Sequence, residues 1–131
     1  MAQPVRFGIV GCGIIAPVHA DAISLNPDVA TLTACCDELA DRASAFASDR
    51  QGVTAFPGLE SMLESGSVDA ICICTPSGLH ADAVEAAAWK GIHSLVEKPL
   101  DVNSAGLERI VRAARKGNVK VASVFQRRTW Q

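Results

Sequence analysis

The sequence predicts an α/β fold, a doubly wound and mostly parallel sheet of six strands in the order 3-2-1-4-5-6. The first observation behind this is that short apolar runs alternate with longer helical stretches along the chain. Such alternation is typical of a parallel sheet covered by helices on both faces. The second observation is a glycine-rich turn, Gly11-Cys12-Gly13-Ile14-Ile15-Ala16, which directly follows the first apolar run. A turn of this kind joins a strand to a helix.

The six predicted strands are apolar runs bounded by turn residues. They cover residues 5–10, 30–36, 53–55, 70–74, 92–96 and 119–124. The first helix begins at the glycine turn, and the other four are predicted over 38–49, 57–63, 79–90 and 103–117. In the last of these, Asn103 is the expected N-cap and Gly117 the expected end. Its predicted buried stripe is Leu107, Ile110, Val111 and Ala114.

Length and composition predict one globular domain and exclude several function classes. The 131 residues are enough to bury a sizeable core, with 49% apolar residues, 20% charged residues and a net charge of -2. This charge is not basic enough for a nucleic-acid partner, and aromatics at 5% with no tyrosine argue against base stacking. No apolar run reaches the roughly 18 residues of a membrane helix. The expected location is the cytoplasm.

The cysteines and histidines are expected to have structural roles. All five cysteines lie in apolar runs and never at zinc-type spacing, which predicts reduced, buried thiols and no metal site. His19 and His80 lie at helix starts, where structural hydrogen bonds are favoured. Cys12 lies inside the glycine turn, where a helix N-terminus can lower a thiol pKa. The favoured alternative is that Cys12 is simply a small residue beside a phosphate.

The glycine turn predicts a dinucleotide site. Gly11, Gly13 and Ala16 match the pattern G-x-G-x-x-G/A at the start of a helix. Gly11 permits the tight turn, Gly13 lets backbone N–H groups reach a pyrophosphate, and Ala16 keeps the helix close to the strand.

An acidic residue after the second strand strengthens this prediction. Asp37 follows the turn by about twenty residues, where a carboxylate can accept both ribose hydroxyls of an adenosine and repel a 2′-phosphate. Glu38 adds to that repulsion, so the predicted cofactor is NAD, with NADP less expected. Arg42 is the nearest cation that opposes this preference. The alternative role for Asp37 is an N-cap of the following helix, and both roles can hold together.

Two further loops are expected at the same edge of the sheet. They are residues 75–80, after the fourth strand, and 97–99, after the fifth. In this strand order, ligands lie at the switch between strands 1 and 4, so both loops face the nicotinamide end of a dinucleotide. Lys98 can hydrogen-bond a substrate hydroxyl or act as a base. The alternative is a surface lysine paired with Glu97.

Taken together, these motifs resemble a known family. They are the turn from Gly8 to Ala16 with His19, the pair Cys36-Asp37, the loop Thr75-Pro76 with His80, and Glu97-Lys98-Pro99. The chain resembles the N-terminal half of the Gfo/Idh/MocA oxidoreductases from residue 5 to about residue 128. That family includes glucose-fructose oxidoreductase, inositol dehydrogenase and several nucleotide-sugar dehydrogenases. Glu-Lys-Pro is the most specific part of the resemblance.

The resemblance implies a Rossmann fold that binds NAD(P). It also implies hydride transfer at a hydroxyl-bearing carbon of a sugar, cyclitol or nucleotide-sugar, with Lys98 as the catalytic or substrate-orienting residue. Ser77 stands where the family commonly has asparagine. The predicted cofactor-binding residues are Gly11, Gly13, Ile14, Ile15, Asp37, Thr75, Pro76, Ser77, His80, Glu97, Lys98 and Gln126.

The resemblance also implies a second domain. Residues 1–124 are expected to form the dinucleotide-binding domain, and residues 125–131 the start of a crossover into an α+β substrate domain that this chain lacks. In the family, that domain supplies an acid/base group, most substrate contacts and the oligomer interface. The chain is therefore expected to be a truncated half with little turnover alone, and the complete protein to be a homo-oligomer.

Two alternatives stay open. The first is a non-catalytic dinucleotide sensor or adaptor. The second is a methyltransferase, a chemistry in which Glu-Lys-Pro has no role.

Overall fold

Six parallel strands form one sheet in the order β3-β2-β1-β4-β5-β6, as predicted. The computed structural model describes residues 2–129. The strands are β1 (Val5–Val10), β2 (Ala30–Cys36), β3 (Thr54–Phe56), β4 (Ala70–Ile73), β5 (His93–Val96) and β6 (Val121–Ser123). This order places the chain reversal between β1 and β4, where the carboxyl ends of the two strands open a crevice.

Helices cover both faces of the sheet. They are α1 (Ala16–Ser24), α2 (Ala40–Ser48), α3 (Leu59–Glu64), α4 (His80–Trp89) and α5 (Ser104–Gly117). None of the helices within residues 2–129 is long and apolar enough to cross a membrane. After β6 a short 3₁₀ helix covers Gln126–Thr129, and residues 130 and 131 of the predicted crossover segment lie outside the described part.

The core has two halves, one on each face of the sheet. Ile9 packs with residues of α1 and α2, whereas its neighbour Val10 packs with residues of α3, α4 and α5. Successive residues of a strand point to opposite faces, and in a doubly covered sheet both faces are buried. This is why the strands are visible in the sequence as continuous apolar runs.

The start of α5 confirms one predicted cap, and its end corrects a predicted boundary. Asn103 Oδ1 accepts the N–H of Gly106 at 2.9 Å, as an N-cap does. At the other end Asn118 adopts the left-handed conformation with φ 51°, and the N–H of Val119 donates to the carbonyl of Ala114 at 3.0 Å. Because residues 118 and 119 close the helix, β6 begins at Val121 and not at 119.

The predicted buried stripe of α5 is right for Ile110 and wrong for two of its neighbours. Ile110 is buried, but Leu107 is 39% and Val111 47% exposed. The helix faces the core through Gly106 and Ile110, and Gly117 lies close to α4. The buried face of α5 is therefore narrower than the apolar stripe in the sequence, and Leu107 and Val111 lie at the edge of that face.

Replacing Gly117 by alanine should destabilise the fold. An added Cβ would lie 2.5 Å from the carbonyl oxygen of Ala88, so α4 and α5 would have to separate. Overpacking of this kind costs about 1–3 kcal/mol, more than the gain of up to about 1 kcal/mol in helix propensity. Urea denaturation of Gly117→Ala measures the change in the free energy of unfolding.

The matched control is Gly78→Ala, since no heavy atom lies within 4 Å of the Cβ it would add. Its free energy of unfolding should stay within about 0.5 kcal/mol of the parent value. Equal stability of Gly117→Ala and Gly78→Ala would contradict the close contact between the two helices.

Candidate functional site

A groove with a volume of about 1130 Å³ runs across the carboxyl ends of β2, β1 and β4. This is the edge at which open parallel sheets bind ligands. The groove brings together the predicted residues Gly11, Gly13, Ile14, Ile15, Asp37, Thr75 and Pro76. Its volume lies slightly above that of ordinary ligand pockets, which cover about 300–1,000 Å³, as an extended groove for a large ligand would.

Gly11 joins the three strands that carry the groove. Its φ of +90° is a conformation that favours glycine, and its N–H donates to the carbonyl of Cys36 at 2.9 Å. A Cβ at this position would lie 2.9 Å from the carbonyl oxygen of Cys74. The fold itself therefore requires this glycine.

Gly13 has a different role. A Cβ built on Gly13 would have no heavy atom within 4 Å, and the residue lines the groove. Helix α1 begins nearby at Ala16, where the N–H groups of Ala16 and Val18 already bond to the carbonyls of Gly13 and Ile15 and Pro17 has none, so a phosphate would meet the backbone of the glycine turn itself. An open surface beside this turn fits a phosphate, which is the space that a dinucleotide pyrophosphate needs.

Asp37 holds the glycine turn while it lines the groove. Its Oδ2 accepts the N–H of Cys12 and its Oδ1 accepts the N–H of Leu39, both at 2.8 Å. The alternative that Asp37 caps α2 is wrong, because Leu39 is the N-cap residue. Arg42 Nη1 lies 3.6 Å from Oδ2. Oδ2 already faces both the Cys12 N–H and Arg42, whereas Oδ1 accepts one N–H and keeps a second lone pair to which a ribose hydroxyl could donate.

Cys12 lines the groove but is not a reactive thiol. The side chain is buried, and its hydrogen bond with the Cys35 thiol together with burial raises the pKa of Cys12. Burial likewise raises the pKa of Cys36 to about 12. The proposed lowering of the Cys12 pKa by a helix N-terminus is therefore wrong, and the interpretation as a small residue stands.

Thr75 offers a polar group that no protein atom satisfies. Its Oγ1 is buried and has no hydrogen-bond partner within residues 2–129, and the residue lines the groove. A buried hydroxyl without a partner is unfavourable. Ser94 and Ser123 have buried hydroxyls of the same kind and do not line the groove, so the deficit at Thr75 does not by itself indicate a ligand.

The segment after β5 lies next to the end of β4. The N–H of Glu97 donates to the carbonyl of Ile73 at 3.0 Å, which keeps the ends of β4 and β5 together. Lys98 is exposed, and its bond to Pro99 is cis. The alternative of a Lys98–Glu97 ion pair is wrong, since the Glu97 carboxylate binds His19 at 2.8 Å and the backbone N–H of Lys98 at 3.1 Å.

Five predicted residues do not line the groove. They are Ser77, His80, Glu97, Lys98 and Gln126. Ser77 begins the 3₁₀ helix Ser77–Leu79 directly beyond Pro76. His80 is buried with both ring nitrogens near backbone carbonyls, and His19 binds Glu97, which confirms the predicted structural hydrogen bonds.

Within residues 2–129, no group of three or more metal-ligating side chains could hold a metal ion.

Sequence reasoning missed part of the groove. Leu59, Leu79 and Asp82 also line it. They lie at the starts of helices that follow β3 and β4, so the topological rule contained the signal for them. The bond from Cys12 to Asp37 had no such signal, because it depends on side-chain geometry.

Comparison with known proteins identifies the family. The profile of the oxidoreductase family with an NAD-binding Rossmann fold, Gfo/Idh/MocA, matches residues 5–125. The chain belongs to this family. Inositol 2-dehydrogenase of Corynebacterium glutamicum is 34% identical over 116 residues, which are 88% of this chain and 34% of that protein. A dTDP-3,4-didehydro-2,6-dideoxy-alpha-D-glucose 3-reductase of Actinomadura kijaniata is 35% identical over 125 residues, or 95% of this chain and 37% of that one.

A solved structure agrees with this assignment. The WlbA dehydrogenase from Bordetella pertussis, in complex with NADH and UDP-GlcNAcA, superposes with a TM-score of 0.91 and 35% sequence identity. The match covers 98% of this chain and 39% of that one. The chain therefore spans somewhat more than a third of the length of these relatives, and it carries their NAD-binding domain.

Gly13→Val should weaken cofactor binding while the fold persists. The Cβ added at this position would have no heavy atom within 4 Å, so the free energy of unfolding should change by no more than about 1 kcal/mol. The added side chain would occupy the space of the pyrophosphate, so NADH affinity should fall at least about tenfold, or ~1.4 kcal/mol. NADH fluorescence titration and urea denaturation measure the two effects.

Gly11→Ala is the contrasting variant. Its Cβ meets the Cys74 carbonyl, and alanine is strained at a φ of +90°, so it should lower stability as well as binding. Wild-type NADH affinity in Gly13→Val would contradict the placement of the pyrophosphate over Gly13.

Proposed function

We propose that this chain is the cofactor-binding half of an NAD-dependent dehydrogenase acting on a hydroxyl-bearing carbon of a sugar, cyclitol or nucleotide-sugar. The observation that carries the proposal is the groove across β2, β1 and β4, with Asp37 at one side, the open surface of Gly13 in the middle and Thr75 at the other. The named relatives are an inositol dehydrogenase and a nucleotide-sugar reductase, which supports the substrate class.

The adenosine end of the groove has the charge that suits NAD. Asp37 would accept the ribose hydroxyls, and the exposed Glu38 in the same wall would repel a 2′-phosphate. Arg42 reduces this repulsion only in part, because its guanidinium already lies beside the Asp37 carboxylate. NAD is therefore the expected cofactor, and NADP the weaker one.

The other end of the groove adjoins the Lys98 segment. Ile14, Ile15, Pro76 and Ser77 would bound the nicotinamide half, with Gln126 beyond β6 at the border of the active site. When bound, the nicotinamide ring supplies the hydride acceptor or donor. Lys98 would hydrogen-bond the substrate hydroxyl and share its proton with an acid/base group of a substrate domain.

The same proposal includes the rest of the protein. Residues 1–124 form the cofactor domain, and residues 125–131 lead into an α+β substrate domain through which the complete protein forms homo-oligomers. The five free cysteines, four of them buried, support a cytoplasmic location, where thiols stay reduced.

Cofactor titration tests the first half of the proposal. The 131-residue chain should bind NADH with a Kd below about 1 mM and NADPH at least about tenfold more weakly. Asp37→Ala should weaken NADH binding, because both the ribose contact and the support of the Cys12 N–H are lost. Failure of the folded chain to bind either dinucleotide would refute the proposed function.

Lys98→Ala should separate turnover from cofactor binding. In a polypeptide that joins this domain to a substrate domain, kcat should fall by about 100-fold or more, since an aligned proton-transfer group contributes about that much. The Kd for NADH should stay within about threefold, because Lys98 does not line the groove. Steady-state kinetics and fluorescence titration give the two values.

Equal losses in kcat and NADH affinity would place Lys98 at the cofactor and not at the substrate. Unchanged turnover would favour a non-catalytic dinucleotide sensor.

A further inference from the structure

Two nearly buried histidines flank the segment that carries Lys98. On one side, His19 of α1 brings its Nε2 to 2.8 Å from Glu97 Oε1, and both side chains are only 11% exposed. The second oxygen of the same carboxylate accepts the backbone N–H of Lys98 at 3.1 Å. Glu97 thus connects the first helix of the fold to the backbone of Lys98.

On the other side, His80 at the start of α4 joins two loops. Its ring is 1% exposed, with Nε2 at 2.9 Å from the carbonyl oxygen of Thr75. Nδ1 lies 3.0 Å from the carbonyl oxygen of Pro99 and 3.2 Å from that of Leu100. Carbonyl oxygens only accept hydrogen bonds and a neutral imidazole carries one N–H, so the ring donates from whichever nitrogen holds the proton, either to Thr75 or to the Pro99 and Leu100 side. The ring links the groove wall after β4 to the residues that follow Lys98.

We propose that His19 and His80 are positioning residues that set where Lys98 stands relative to the groove. The inference rests on the proposed function in one respect, namely that Lys98 is the group that meets the substrate hydroxyl. His19 acts through residue 97 and His80 through residues 99 and 100, so the anchors bracket Lys98 directly along the chain. Neither histidine lines the groove, which separates their role from cofactor binding.

The arrangement is more than the filling of space. A nearly buried carboxylate and partly buried carbonyls are unfavourable without donors, and an apolar side chain of similar size would leave them unsatisfied. The response of lowest free energy is a shift of residues 97–100 towards solvent, where water satisfies these acceptors. A displacement of about 1 Å in a reacting group can lower turnover by about 100-fold.

Hydrogen exchange in the 131-residue chain tests the anchoring without any assay of activity. His19→Leu should raise the exchange rate of the Lys98 amide at least about tenfold over its rise in the β1 amides, because the Glu97 acceptor loses its fixed position. His19→Gln, which keeps an N–H donor, should restore most of the protection, whereas the shorter His19→Asn should not. His80→Leu should raise exchange across residues 97–103.

The matched control is His93→Leu. His93 is an exposed histidine on β5, and its Nδ1 accepts the N–H of Lys120 at 3.0 Å, away from the segment. It should leave exchange over residues 97–103 unchanged. Should His19→Leu not fold, the contrast between His19→Gln and His19→Asn decides the same question. Wild-type protection of the Lys98 segment in His19→Leu or His19→Asn and in His80→Leu would overturn the proposal.

The emission of bound NADH provides a second readout that a purely structural histidine would not move. His19→Leu, His80→Leu and Lys98→Ala should all change the emission of bound NADH, with the Kd held within about threefold. If Lys98→Ala alone leaves the emission unchanged, the proposed place of Lys98 is wrong, and hydrogen exchange still decides the anchoring. If the histidine variants change Kd and stability but not emission, the histidines are structural only and the proposal fails.

Discussion

The close approach of Gly11 to the end of β4 is the constraint on which the candidate site depends. With a φ of +90° and no side chain, the turn passes against the carbonyl of Cys74, and its N–H bonds the end of β2. The N–H of Cys74 in turn donates to the carbonyl of Val10 at 2.8 Å. Three strand ends are therefore held together at one point, and the groove can exist only because this junction is compact.

Asp37 converts that junction into a surface of defined charge. Its carboxylate is almost buried, yet it receives two backbone N–H groups and lies beside Arg42, so its desolvation is offset by polar contacts. One residue thus supports the turn and presents acceptors to the groove. The two roles are coupled, since any change that moves Asp37 also moves the N–H of Cys12 and the glycine turn that contains it.

The sequence predicted the strand order, the glycine turn and the loops of the site, because these depend on local patterns and on the topology of parallel sheets. It misplaced the start of β6, because Asn118 and Val119 close the helix that ends, as expected, at Gly117. The predicted buried stripe of α5 was also too wide, since it included Leu107 and Val111. The periodicity of the sequence shows which residues of α5 are apolar. How many of them are buried depends on how closely α5 approaches α4 at Gly117.

Side-chain pairing was the part that local patterns could not supply. The Glu97 carboxylate turns to His19, 78 positions earlier in the chain, and leaves the adjacent Lys98 ammonium without it. Neighbours of opposite charge in sequence suggest an ion pair, but the end of a strand directs successive side chains to different faces. The alternative of a Lys98–Glu97 pair failed because it used separation along the chain, whereas side-chain orientation decides which groups meet.

The exposure of Ile14 connects the fold to the proposed function. Its side chain is 99% exposed at the edge of the groove, beside the open surface of Gly13. Full burial of an isoleucine contributes about 1.5–3 kcal/mol, so a ligand that covers even part of this side chain gains affinity from it. The exposed Ile14 side chain therefore favours a ligand with an apolar face. A nicotinamide ring presents such an apolar face, so the exposure of Ile14 agrees with the proposed cofactor.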